Sequence, residues 1–83
     1  MTYGYTVSDS ANRSVFLDTF QFIIDKLHFA PIGEQREDID RSLYQNFTKD
    51  GQTLFLESNV ETDYVGILSD TELPITALHK WKQ

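Results

Sequence analysis

Apolar residues recur through residues 8–31, "SDSANRSVFLDTFQFIIDKLHFAP", at the three- and four-residue spacing of a helix. Phe16, Phe20, Ile23, Ile24 and Leu27 form one line. Val15, Phe22 and Phe29 form a second line beside it, and Ser14, Asp18, Gln21, Asp25 and His28 fall on the opposite side. The spacing predicts one main helix with a wide buried stripe. Ser8 or Ser10 is placed to cap its first turn, whose free N–H groups need an acceptor. Pro31 bars helical backbone in the residue before it, so the helix should stop by Phe29.

Elsewhere the period changes. Residues 2–7, "TYGYTV", alternate with Tyr3, Tyr5 and Val7 on one side and predict a short strand. In residues 46–57, "NFTKDGQTLFLE", Asp50-Gly51 suits the centre of a type I′ turn, where both residues need positive φ. Thr48 then faces Thr53, Phe47 faces Leu54 and Gln45 faces Leu56. A second hairpin through "NVET" sets Leu56 opposite Val65 and Leu54 opposite Ile67. In this register Leu43, Phe47, Leu54, Leu56, Val65 and Ile67 share one face, with Gln45 as the misfit, tolerable near an edge. A slip of one residue would scatter them. Between helix and hairpins, Ile32, Ile39 and Leu43 suggest a short helix over about residues 34–42, with a charged loop as the alternative. Pro74 suits the first turn of a short C-terminal helix docked by Ile75, Leu78 and Trp81. The expectation is one α+β domain spanning residues 1–83: a small antiparallel sheet of three to four strands packed on one main α-helix, with a short C-terminal helix.

The same "NFTKDGQTLFLE" resembles a calcium-binding EF-hand loop in outline, with Asp50-Gly51 at positions five and six and Glu57 at twelve. Position one is Asn46, position three is the hydroxyl of Thr48, position eight is the polar Thr53, and the β-branched, turn-rich "SNVETDYVGIL" replaces the helix that should follow. The hairpin accounts for all of these residues and an ion loop for few of them. The acidic run Glu34, Glu37, Asp38 and Asp40 is interleaved with Arg36 and Arg41 and reads as a solvated face laced with ion pairs. No metal site and no cofactor is expected.

Composition narrows the function classes. There is no cysteine, hence no disulfide framework or thiolate chemistry. The four glycines are isolated, so no phosphate-cradling loop is present, and no G-x-S-x-G elbow occurs. His28 falls near the end of the main helix on its polar side and His79 in a lysine-flanked tail, both read as surface residues, and the chain is read as not an enzyme. The start of the chain has neither the basic nor the apolar region of a signal peptide, and no apolar run approaches the roughly 20 residues that span a bilayer, so a cytoplasmic protein without membrane contact is expected. The net charge of −6 and pI near 4.6 oppose direct nucleic-acid binding and favour a protein partner with a basic surface.

On the second face of the expected sheet lie Tyr44, Phe55, Tyr64 and Leu68. Either the Tyr3/Tyr5 and Ile75–Trp81 segments cover that face, or a partner does. Glu57, Glu61, Asp63, Asp70 and Glu72 form a stretch with no basic residue around the loops at the sheet's ends. Tyr44, Phe55, Glu57, Glu61, Asp63, Tyr64, Asp70 and Glu72 are therefore the candidate partner-binding residues. They fit a small acidic inhibitor or regulator that occupies a basic surface of its target. Phage-encoded inhibitors and bacterial immunity proteins share this profile of size and acidity, an analogy of class rather than of motif. Mimicry of nucleic acid would need carboxylates spaced like phosphates, and Arg36 and Arg41 interrupt them. The alternative is a homo-oligomeric protein, such as a homodimer, that uses the second sheet face as its own interface. A calcium loop at residues 46–57 is the remaining reading.

Overall fold

The computed structural model describes residues 2–73. Its elements are β1 (Tyr3–Ser8), α1 (Arg13–Asp25), β2 (Ala30–Glu37), β3 (Leu43–Lys49), β4 (Gln52–Asn59) and β5 (Tyr64–Ser69). The strands form one five-stranded sheet in the order β1-β5-β4-β3-β2, every neighbouring pair antiparallel. The architecture is α+β, but the sheet has more strands than expected. The proposed C-terminal helix from Pro74 lies outside the described residues.

The length of the helix is compatible with this topology. β1 and β2 are the two edges of the sheet, so the connection between them must cross its full width. Thirteen helical residues rise about 20 Å, and five strands spaced about 4.8 Å apart are about 19 Å across. From β2 the chain returns by a meander of hairpins and closes against β1.

Helix α1 buries Phe16, Thr19, Phe22 and Ile23 on the sheet, with Val15, Phe20 and Ile24 half-buried at the margins. Phe20 also meets Phe47 edge-on, with ring centroids 5.2 Å apart. The cap is Asn12 rather than Ser8 or Ser10: Ser8 still belongs to β1, and the Asn12 side chain accepts the N–H of Val15 at 3.0 Å. At the other end His28 takes the left-handed conformation, φ +62°, and Phe29 N–H returns to the carbonyl of Ile23. Lys49 Nζ donates to the Leu27 carbonyl at 3.0 Å and lies over the Phe29 ring.

The expected β3–β4 register holds: Thr48 pairs with Thr53, Phe47 with Leu54 and Gln45 with Leu56, and Asp50 and Gly51 have φ of +51° and +81°. The β4–β5 register is corrected by two positions, because Leu56 faces Ile67 and Ser58 faces Val65. The chain puts those residues into the loop, where Asp63 adopts φ +54° and Asn59 Oδ1 accepts the N–H of Thr62. An even shift preserves the face of every side chain. Leu43, Phe47, Leu54, Leu56, Val65 and Ile67 are all buried together, as expected.

Residues 34–42 are not a helix. Residues 30–37 pair with β3 as an edge strand, and Gly33, at φ +71°, starts a bulge that sets residues 33–35 against Gln45. Gln45 is consequently interior rather than near an edge. Its Nε2 donates to the carbonyls of Ile32, at 3.1 Å, and Asn46, at 2.9 Å, with Gly33 O at 3.4 Å. The polar misfit thus supplies donors to backbone carbonyls at and beside the bulge. The acidic run is likewise dispersed: Glu37 pairs with Arg13 of α1 at 3.2 Å, and Asp40 accepts the N–H of Ser42 in the β2–β3 loop. The bonds from Ser42 lower the Asp40 carboxyl below its ordinary value.

Candidate functional site

Helix α1 covers one face of the sheet. No described element covers the other. Cross-strand pairing places its side chains in rows. Arg36, Tyr44, Glu57, Gly66 and Thr6 make one row, and Ile32, Asn46, Phe55, Leu68 and Gly4 the next. The Tyr3/Tyr5 segment does not cover this face. β1 lies in the plane of the sheet as an edge strand, and Tyr5 packs on the helix side, where its hydroxyl accepts the N–H of Leu73. The Ile75–Trp81 segment lies outside the described residues.

Two constructions order the uncovered face. In the first, Tyr44 and Phe55 stack with centroids 5.9 Å apart and planes 12° from parallel, and the Arg36 guanidinium lies 5.5 Å from the Tyr44 centroid. In the second, Tyr64 lies along its own strand over Gly66, so close that a Cβ at Gly66 would fall 2.2 Å from Tyr64 Cε2. The ring replaces the side chain that glycine lacks. Its hydroxyl donates to Glu57 Oε2, and Asn59 Nδ2 donates to Glu57 Oε1 at 3.1 Å. Glu57 is only 9% exposed. The hydrogen bond to Glu57, then burial, then the negative charge of Glu57 push the Tyr64 hydroxyl up to about 12.

Apolar surface continues at Leu68, 40% exposed, and Ile32, 47% exposed. At the end of the face nearest the β3–β4 turn, both oxygens of Asp70 lie 3.0 Å from the Thr53 N–H, and Oδ2 also accepts from Thr53 Oγ1 at 3.2 Å.

The structure thus brings together part of the candidate set: Tyr44, Phe55, Glu57 and Tyr64 share the uncovered face, with Asp70 at its end. It separates the others. Glu61 and Asp63 lie in the loop at the opposite end, where Asp63 Oδ1 accepts the N–H of Ala11 at 2.9 Å. Glu72 lines a cavity on the helix side with Lys26, Leu27 and Phe29. Arg36, Asn46 and Gly66 were missed by sequence reasoning. Arg36 was hidden by the helical reading of its segment. Gly66 carried a usable signal, a glycine two residues after an outward-facing tyrosine in one strand.

Residues 46–57 form the hairpin, with Asn46 and Glu57 in β-strands rather than around a loop. Among the described residues no group of three or more histidine, cysteine or carboxylate side chains is placed to hold a metal ion. His28 is exposed at the helix end, and His79 lies outside the described residues. No described helix is long and apolar enough to cross a membrane. No family model, no curated protein and no solved structure matches this chain.

Proposed function

We propose that this chain is a small acidic protein-binding module that acts as an inhibitor or regulator by laying the uncovered face of its sheet on a basic surface of its target. The observation that carries the reading is the contrast between the two faces. One is filled by α1. The other presents the Tyr44–Phe55 stack, Tyr64 and Leu68 without a covering element among the described residues. Aromatic side chains held rigid by their neighbours favour contact surfaces, because little rotamer freedom is lost on docking. Glu57 and Asp70 supply negative charge on this face, and the net charge of −6 steers a basic partner towards the molecule.

The test compares partner capture by the wild-type chain and by Leu68→Glu. Leu68 is exposed enough for the variant to stay within about 0.5 kcal/mol of wild-type stability. Capture should be lost in Leu68→Glu and retained in Leu17→Glu, an exposed position on α1. The purified partner's activity should fall on titration with the wild-type chain. Equal capture by both variants would remove the face from consideration.

Self-association through the same face is a second reading, favoured by the presence of both signs of charge there, Arg36 and Glu57. Light scattering across a concentration series separates it from the first.

A further inference from the structure

Resting on that reading of the face, we propose that the groove over Phe55 and Leu68 seats an arginine side chain of the basic partner, with its guanidinium on Asp70. The groove has a volume of about 170 Å³ and is lined by Thr2, Asn46, Thr53, Phe55, Leu68 and Asp70, among others. Its composition is graded. Phe55 and Leu68 make an apolar floor, and a carboxylate stands at one end. An arginine has the matching construction: a methylene stem that buries along apolar surface and a planar cation that stacks on aromatic rings and takes a carboxylate with paired hydrogen bonds.

Asp70 is held for this role. The Thr53 N–H and hydroxyl fix both of its oxygens, which leaves further lone pairs unused. Among the described residues Asp70 takes part in no ion pair. Two cations of the described residues are placed elsewhere: Lys49 donates to the Leu27 carbonyl on the helix side, and Arg36 lies over Tyr44. Charge complementarity therefore selects a cationic occupant, and the aromatic floor favours guanidinium over ammonium.

The experiment titrates the full chain with the blocked pentapeptide Gly-Gly-Arg-Gly-Gly, followed by amide NMR. Its comparator is the same peptide with citrulline, which keeps the shape and loses the charge. The expected result is saturable shifts at Thr53, Phe55, Leu68 and Asp70, weakened by salt and about tenfold weaker for the citrulline peptide and for Asp70→Asn. Asp70→Asn keeps an acceptor for Thr53. Should it nonetheless unfold, Phe55→Leu decides, because it retains the apolar floor and should weaken arginine binding severalfold.

Equal affinity for the two peptides, or shifts confined to other residues, would overturn the proposal. Groove resonances that move with protein concentration alone would give the groove to a second copy. Groove resonances that move in Lys80→Ala/Lys82→Ala without peptide would give it to the chain's own residues 74–83. Either result overturns the arginine assignment. Loss of partner capture in Leu68→Glu, together with equal binding of the two peptides, leaves the face as the interface and refutes arginine alone.

Discussion

Replacing Gly66 by alanine tests the Tyr64–Glu57 construction at its tightest point. The new Cβ would lie 2.2 Å from Tyr64 Cε2 and 3.0 Å from Cδ2 and Cζ, so the ring must leave its place over the strand. As the ring leaves, its hydroxyl loses Glu57. A hydrogen bond to a charged acceptor contributes about 1.5–3 kcal/mol, and the loss of glycine's unfolded-state freedom returns about 0.4–1 kcal/mol. Gly66→Ala should therefore destabilise the fold by about 1–2 kcal/mol, read as a lower urea midpoint at unchanged slope. The decisive measurement is a double-mutant cycle with Tyr64→Ala. With the ring gone, the three atoms nearest the added methyl are gone with it, and the same substitution should stabilise by about 0.5 kcal/mol. The Tyr64 hydroxyl of the single variant should also titrate near its ordinary value of 10.0 instead of about 12. If Gly66→Ala destabilises equally with and without the Tyr64 ring, the ring is not what Gly66 accommodates, and the reasoning fails.

Three further outcomes follow from the same geometry. Because the folded-state value of Tyr64 lies above its unfolded one, its contribution is complete below pH 10 and is lost as pH rises through about 12; stability should fall over that window by about 1 kcal/mol after discounting for solvent screening, and Tyr64→Phe should abolish that component. Gln45→Leu removes the donors to the carbonyls of Ile32 and Asn46; chemical denaturation should show a loss of about 1–3 kcal/mol, and amide exchange should accelerate along β2. His28→Gly relieves a left-handed backbone at φ +62° and should raise stability by up to about 1 kcal/mol in the same unfolding assay.

Local chemistry settled more of this fold than of its candidate site. Asp50-Gly51 reverses the chain by conformational preference alone, and the alternation from Leu43 to Ile67 then assigns the buried face whichever even register the second hairpin adopts. The 3.6-residue spacing in residues 13–25 likewise announces α1 because it maps directly onto a buried stripe. Patterning reports burial, and it falls silent where an element buries little. β2 is exposed along its whole length, and Ile32, one of the three apolar residues that suggested a helix there, lies on the uncovered face. That strand exists because β3 offers backbone partners and Gln45 satisfies its bulge, neither of which has a period to read. The candidate site depends on the same non-local decisions. Tyr44, Phe55, Glu57 and Tyr64 fell on one face by alternation. The seating of Tyr64 over Gly66, the approach of Arg36 to Tyr44, and the parting of Asp70 from Glu61, Asp63 and Glu72 required strands to be set side by side and loops to take their places. Sequence determined which side chains point the same way, since that follows from each strand's own two-residue repeat. Only the tertiary structure decided which of them touch, since contact depends on neighbours distant along the chain.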